Sequence, residues 1–273
     1  MIIKYDNQYD EQISELVKNY PMEWGESIPT VLALEQEAVI AVGSLTRNDF
    51  HPYREYLKVF VHPESREKGI GQSIFNAILS QSKQKKFQAA ISSKDAVAVS
   101  FLEHCGFHLA RKCYTPVLRN ANPLVSVRYP TIQEQPAAIQ DEVFSLQLAN
   151  YSEFHHAINP LDERVSFHQW KEIVCDDLAL NRSYILLKDS QVAAYVLCCE
   201  GDAPGQIEIG YVGGRDIAAL EEYAVFYKQV ADLLNQDFAV VEIEADDVDP
   251  YASALLNQYA YDQSDSFDTY QFG

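Results

Sequence analysis

Apolar positions recur along the chain at two periods, and the two alternate in a regular order. Residues 2–5 read as a strand, and residues 8–20 carry Ile13, Leu16 and Val17 on one helical face before Pro21. Residues 30–34 and 38–45 are apolar runs around the polar turn Glu35-Gln36-Glu37, which predicts a hairpin. Residues 46–52 make a second turn. Residues 56–61 are β-branched and aromatic, a strand that ends at His62-Pro63, where proline removes a ladder donor. From there Ile70, Ile74, Ala77 and Ile78 recur at helical spacing, and Lys83, Lys85 and Lys86 follow, where cations complement the helix dipole. A strand over 87–92, a short helix over 96–104 ended by Gly106 and a strand over 107–114 complete the series.

Asn120-Ala121-Asn122-Pro123 reads as a linker, and beyond it the same order returns. A strand over 125–129, a helix over 134–148, a hairpin over 184–199, a strand over 206–212, a helix over 217–234 and a strand over 238–244 are expected. Residues 251–261 then echo 97–107. The pattern predicts an α/β protein of two tandem units, 1–122 and 123–273, each a mixed twisted sheet flanked by helices.

Between the strand at 56–61 and the helix that follows stands Arg66-Glu67-Lys68-Gly69-Ile70-Gly71. A glycine-containing loop leading into a helix N-terminus binds phosphate, because the first-turn N–H groups have no intrahelical partner and point at an anion. Gly69 and Gly71 let the backbone approach that anion, and Arg66 and Lys68 add charge. One strand later comes Asp95-Ala96-Val97-Ala98-Val99-Ser100-Phe101-Leu102-Glu103-His104-Cys105-Gly106-Phe107.

These two segments, in this order and at this spacing, resemble the GNAT superfamily of acyl-CoA-dependent N-acetyltransferases over roughly residues 1–120. In that family R/Q-x-x-G-x-G/A cradles the coenzyme A pyrophosphate, and a segment N-x-x-A-x-x-L-Y-E-K-x-G-F follows. The resemblance implies a pyrophosphate site at Arg66, Glu67, Lys68, Gly69, Ile70, Gly71 and Gln72. It also implies acetyl and pantetheine contacts at the backbone of Val59, Phe60 and Val61, and further coenzyme contacts at Asp95 and Phe101. Acetyl-CoA is the implied cosubstrate, with no metal. Asp95 stands where the family has Asn. Leu102 stands where it has the tyrosine that serves as general acid, which leaves that role open among Tyr114, His104, Cys105 and solvent. Residues 22–25 correspond to a loop beside the acceptor pocket.

Transfer of acetyl from a thioester to an amine needs a base for the ammonium proton. By resemblance Glu55, eleven residues before Arg66, is the expected base. By the residues alone it is equally a charged group near a strand start, paired with Arg54 or Lys58.

The remaining composition narrows the function. The net charge is −19, and all of it lies in residues 123–273, which hold 7 basic and 26 acidic residues. Nucleic acid is therefore not an expected partner. Aligning Val212 with Val61 sets Ile217, Leu220 and Glu222 where Arg66, Gly69 and Gly71 stand, so the second copy reads as degenerate. The expected acceptor is an amine of a small molecule or peptide, cationic in character, drawn to the acidic half. The other reading is a non-catalytic acyl-CoA-binding or regulatory protein. The first residues lack the pattern of a signal peptide, and no apolar run approaches the ~20 residues that span a bilayer. The five cysteines follow no C-x-x-C spacing and read as reduced thiols. A cytoplasmic protein, without a membrane partner and as monomer or homodimer, is expected. His155-His156 reads as part of a polar loop before Asn159-Pro160, not as a metal site.

Overall fold

A computed structural model describes residues 1–18, 29–120 and 127–273. The chain forms two compact units, unit 1 from Met1–Ala110 with Asp268–Gly273 and unit 2 from Arg111–Phe267. This partition is not the one drawn at 122/123. Turn composition marks where a chain is polar, whereas a domain boundary lies where few contacts cross.

Unit 1 contains β1 (Ile2–Lys4), α1 (Asp10–Val17), β2 (Pro29–Glu35), β3 (Ala38–Thr46), β4 (Glu55–Val61), α2 (Ile70–Gln81), β5 (Phe87–Ser92), α3 (Ala96–His104) and the start of β6 (His108–Tyr114). The first helix begins later than the pattern suggests, because Asp6 caps a 3-10 turn at Asn7–Tyr9. The expected loop at 22–25 lies outside the described residues. β1 to β4 pair antiparallel in sequence order, and β4 pairs parallel with β5. Period-two alternation divides the two faces. Val31, Ala33, Ala41 and Leu57 meet Ile74, Phe75 and Ile78 of α2. Leu32, Leu34, Val42 and Phe60 meet Ile13 and Leu16 of α1.

Unit 2 contains α4 (Ala137–His155), α5 (Phe167–Asp176), β7 (Tyr184–Lys188), β8 (Gln191–Glu200), β9 (Gln206–Gly214), α6 (Leu220–Asp237), β10 (Val240–Ile243), β11 (Ala245–Asp246) and α7 (Pro250–Leu256). Four strands form a sheet in the order β10-β9-β8-β7, and β11 pairs with Cys113 and Tyr114 of β6. The duplication shows in the backbone. Both hairpins turn on two residues of positive φ, Gln36 and Glu37 at 48° and 71°, Asp189 and Ser190 at 49° and 64°. Both also carry a register shift just before that turn.

Some expectations for unit 2 need correction. Residues 125 and 126 lie outside the described residues, and 127–130 form no strand; only Thr131 bridges to Tyr184. α4 starts at Ala137, after Pro136, and runs to His155. His155 is therefore no part of a polar loop. Its ring stacks on Tyr151 at 4.8 Å and lies between Asp246 (3.3 Å) and Asp249 (3.8 Å).

The last strand, β12 (Phe267–Phe272), belongs to unit 1 from Asp268 onward. It completes that sheet in the order β1-β2-β3-β4-β5-β12-β6. Asp268 to Gln271 are all buried. Phe272 sits among Phe75, Phe87 and Phe107 at ring separations of 5.4, 6.0 and 5.4 Å.

Candidate active site

β4 and β5 pair at only two positions, Glu55↔Phe87 and Tyr56↔Gln88, and then part. The result is a fork with one closed and one open end. Alternation along β4 decides which amides face it. The N–H of Glu55 donates to Lys86 O (2.9 Å), on the β5 side, and the N–H of His62 donates to Ile40 O (2.8 Å), on the β3 side. Val59 and Val61, in phase with Glu55, therefore turn their N–H groups into the fork, while Phe60 turns its own toward β3. Of the three expected backbone contacts, Val59 and Val61 have the required orientation.

At the open end the chain enters the expected phosphate loop. Glu67 and Gly69 both have positive φ, 60° and 74°. Two left-handed residues so close together turn the chain sharply onto the axis of α2. The first turn of α2 precedes its first intrahelical bond, Ser73 N–H to Gly69 O at 3.1 Å, so the amides of Ile70, Gly71 and Gln72 face outward for an anion. A Cβ built at Gly69 has no atom within 4 Å, so the approach is open. A Cβ at Gly71 would lie 3.0 Å from the Phe101 ring. Gly71 is thus needed for packing α3 against the loop, with the Phe101 ring beside it. Arg66 Nε donates to Val61 O (3.0 Å) and Lys68 Nζ to Glu64 O (2.9 Å), which keeps both cations on the loop. Asp95 caps α3 by accepting from Ala98 N–H at 3.0 Å. This donor set fits a pyrophosphate.

Glu55 lies at the other end of β4, roughly 20 Å from the loop at ~3.3 Å per residue. It is 3% exposed. Its partner is Arg47, which donates to Oε1 from Nε (3.1 Å) and Nη2 (2.7 Å), and not Arg54 or Lys58. Its Oε2 accepts from Ser82 Oγ at the C-cap of α2. Sequence reasoning missed Arg47 and Ser82, because a loop arginine and a helix-terminal serine carry no mark of a shared partner. Arg54 instead donates from Nη1 to Phe272 O (3.1 Å) and Gly273 O (3.2 Å).

Each candidate for the role of the missing tyrosine has a definite environment. Leu102 is buried in the core of unit 1. Cys105 donates its S–H to Gln72 Oε1 (3.2 Å), and burial pushes its thiol up to about 11. His104 is exposed in the last turn of α3. Tyr114, in unit 2, packs edge-on against Tyr261 at 5.2 Å. Among the described residues no group of three His, Cys, Asp or Glu could hold a metal, and no helix is long and apolar enough to cross a membrane.

Comparisons with known proteins point to acetyltransferases. The acetyltransferase (GNAT) family model matches residues 4–107. No curated protein matches the sequence. Among solved structures, a GCN5-related N-acetyltransferase from Sphaerobacter thermophilus is similar at a TM-score of 0.59 and 12% identity, over 99% of this chain and 94% of that one. A tandem GNAT protein from the clavulanic acid biosynthesis pathway is similar at 0.54 and 13%, over 99% and 97%. Both likenesses span the whole chain and show its tandem fold. Residues 4–107 are similar to the acetyltransferase (GNAT) family, and the protein is an acyltransferase that uses acetyl-CoA.

Proposed function

We propose that the protein is an N-acetyltransferase that moves acetyl from acetyl-CoA to an amine of a small or peptidic, cationic acceptor. Unit 1, Met1–Ala110 with Asp268–Gly273, carries the catalysis, and unit 2, Arg111–Phe267, is a degenerate copy. The observation that carries the reading is the fork between β4 and β5 leading into the left-handed turn at Gly69. It offers unpaired strand amides to a pantetheine arm and helix-terminal amides to a pyrophosphate, in one line.

Glu55 acts here as a positioning residue. Its oxygens are engaged by Arg47 and Ser82, so it ties the start of β4 to the end of α2 and fixes the closed end of the fork. The amine then attacks in its neutral form with water taking the proton, and the thiolate leaves unassisted, since a thiol of pKa ~8.5 is a good leaving group. A cationic acceptor is supported by the acidity of residues 123–273. Glu208 and Glu242 even stand side by side in register on β9 and β10, and burial with neighbouring carboxylates raises the Glu208 carboxyl. Such a surface favours cations near it.

The test is thiol release from acetyl-CoA across a panel of spermidine, an aminoglycoside, a lysine-rich peptide and neutral-side-chain amino acids. The expected outcome is acetylation of at least one cationic amine, lost in Gly69→Asp. Acetylation confined to the amino acids would overturn the cationic acceptor, and an O-acetylated or S-acetylated product would overturn the amine.

A further inference from the structure

The two arms of the fork are not held equally. β4 is paired with β3 along its whole length, from Thr46↔Tyr56 to Ala41↔Val61. β5 is paired with β4 only through Phe87 and Gln88. On its other side its neighbour in the sheet is β12. The width of the fork along residues 89–92 is thus set by a strand that arrives from the far end of the sequence.

The contacts of that strand are specific. Gln271 Nε2 donates to Gln88 Oε1 at 2.9 Å, both side chains being buried. A Cβ at Gly273 would collide with Lys85 O, so only glycine fits there. Arg54, the residue before β4, donates to the carbonyls of Phe272 and Gly273, and burial lowers its basicity. Phe272 packs on Phe87 of β5 and on Phe75 of α2. One hexapeptide therefore fixes the outer arm of the fork relative to both β4 and the phosphate-binding helix.

We propose that Asp268–Gly273 is a positioning element of the acetyl-CoA site, with Phe272 and Gln271 as its positioning residues, so that seating of this strand and binding of acetyl-CoA are coupled. A degenerate second copy then has a reason to persist, because the chain must pass through it to supply this strand. The inference rests on acetyl-CoA occupying the fork. Coupling is reciprocal, so the donor must also stabilise the strand.

Amide hydrogen exchange of the full chain with and without saturating acetyl-CoA tests both halves of this statement. Protection should rise tenfold or more at 69–72 and at 268–272 together. Protection at 69–72 alone overturns the coupling and leaves the donor site standing, whereas protection at neither overturns the donor site itself. A second measurement does not depend on exchange. Phe272→Leu should raise the acetyl-CoA Kd at least threefold. Phe107→Leu, in the same ring cluster but away from β5, should lower the melting temperature comparably with Kd within twofold of wild type. Equal Kd in the two variants would show that Phe272 serves stability only.

Discussion

Arg47 places two hydrogen bonds on one oxygen of Glu55, at 3.1 and 2.7 Å, while Ser82 occupies the other. A carboxylate so engaged is a poor candidate for taking a proton from an incoming amine, and a good one for holding elements together. The two roles separate experimentally. Glu55→Gln keeps the shape and one acceptor oxygen but loses the charge, and breaking a charge-assisted buried bond costs about 1–3 kcal/mol. The figure stays low because Arg47 is 67% exposed and can turn to water. A lower melting temperature with an unchanged pH–rate profile is expected. Loss of the acidic limb of that profile would return Glu55 to the role of base.

Gly69 and Gly71 should fail differently. Gly69 has open space around its missing Cβ, so Gly69→Asp strains only the backbone, by about 1–2 kcal/mol for a left-handed residue. The fold survives, but a carboxylate enters the anion site, and acetyl-CoA Kd should rise tenfold or more. Gly71→Ala instead drives a methyl against Phe101, so α3 must shift. Overpacking of that kind costs about 1–3 kcal/mol. Calorimetric titration together with thermal melts distinguishes the two: at Gly69 the affinity loss far exceeds what the modest backbone strain explains, whereas at Gly71 affinity falls only as far as the packing of α3 does.

What could be read in the sequence was local. The strand at β4, the loop and the helix from Ile70 follow from short-range periodicity and turn chemistry, and so do β5 and α3 within a residue. The left-handed turn into α2 was legible because glycines and a helix start are neighbours in the chain. Two features were not. β12 contains buried Asp268, Thr269 and Gln271, so its hydropathy does not alternate, and its partners lie some 180 residues away. The ties on Glu55 come from a loop and from a helix end. α5, by contrast, is legible, since Ser166 and Gln169 form a capping box that the residues themselves display.

Burial governs the thiols. It pushes Cys105 and Cys199 up to about 11, and raises Cys113, Cys175 and Cys198 as well. At pH 8 a thiol of that kind is about 10⁻³ ionised, so labelling by a disulfide reagent should be slow in the native protein and fast after denaturation. The stability consequence has a definite sign. The folded-state values lie above the unfolded ~8.5, so the contribution is fully present below pH 8.5 and is lost as pH rises toward 11. Chemical denaturation at pH 7.5, 9 and 10.5 should show falling stability, and Cys105→Ala with Cys199→Ala should flatten the fall.

The tandem fold raises the question of how many acetyl-CoA molecules bind, and the second copy answers through what fills it. The strand that corresponds to β4 ends in Gly213-Gly214, but these glycines face protein. A Cβ at Gly213 would collide with the Tyr195 hydroxyl and the Asn150 amide, and one at Gly214 with the Tyr223 ring. Tyr195 is buried and accepts from Asn150 Nδ2 at 3.2 Å, so the filling is anchored. The helix that follows opens on Glu221 and Glu222, where α2 offers bare amides, and Glu222 pairs with Lys188 at 2.5 Å. Two carboxylates at a helix N-terminus satisfy the dipole that a pyrophosphate would otherwise use. Like charges within a few ångströms cost on the order of 1–4 kcal/mol per pair at moderate screening, and coenzyme A carries several phosphate charges. Calorimetric titration should therefore saturate at one acetyl-CoA per chain and lose that binding in Gly69→Asp. A second equivalent of similar affinity that survives Gly69→Asp would show that the filled copy still opens to the donor.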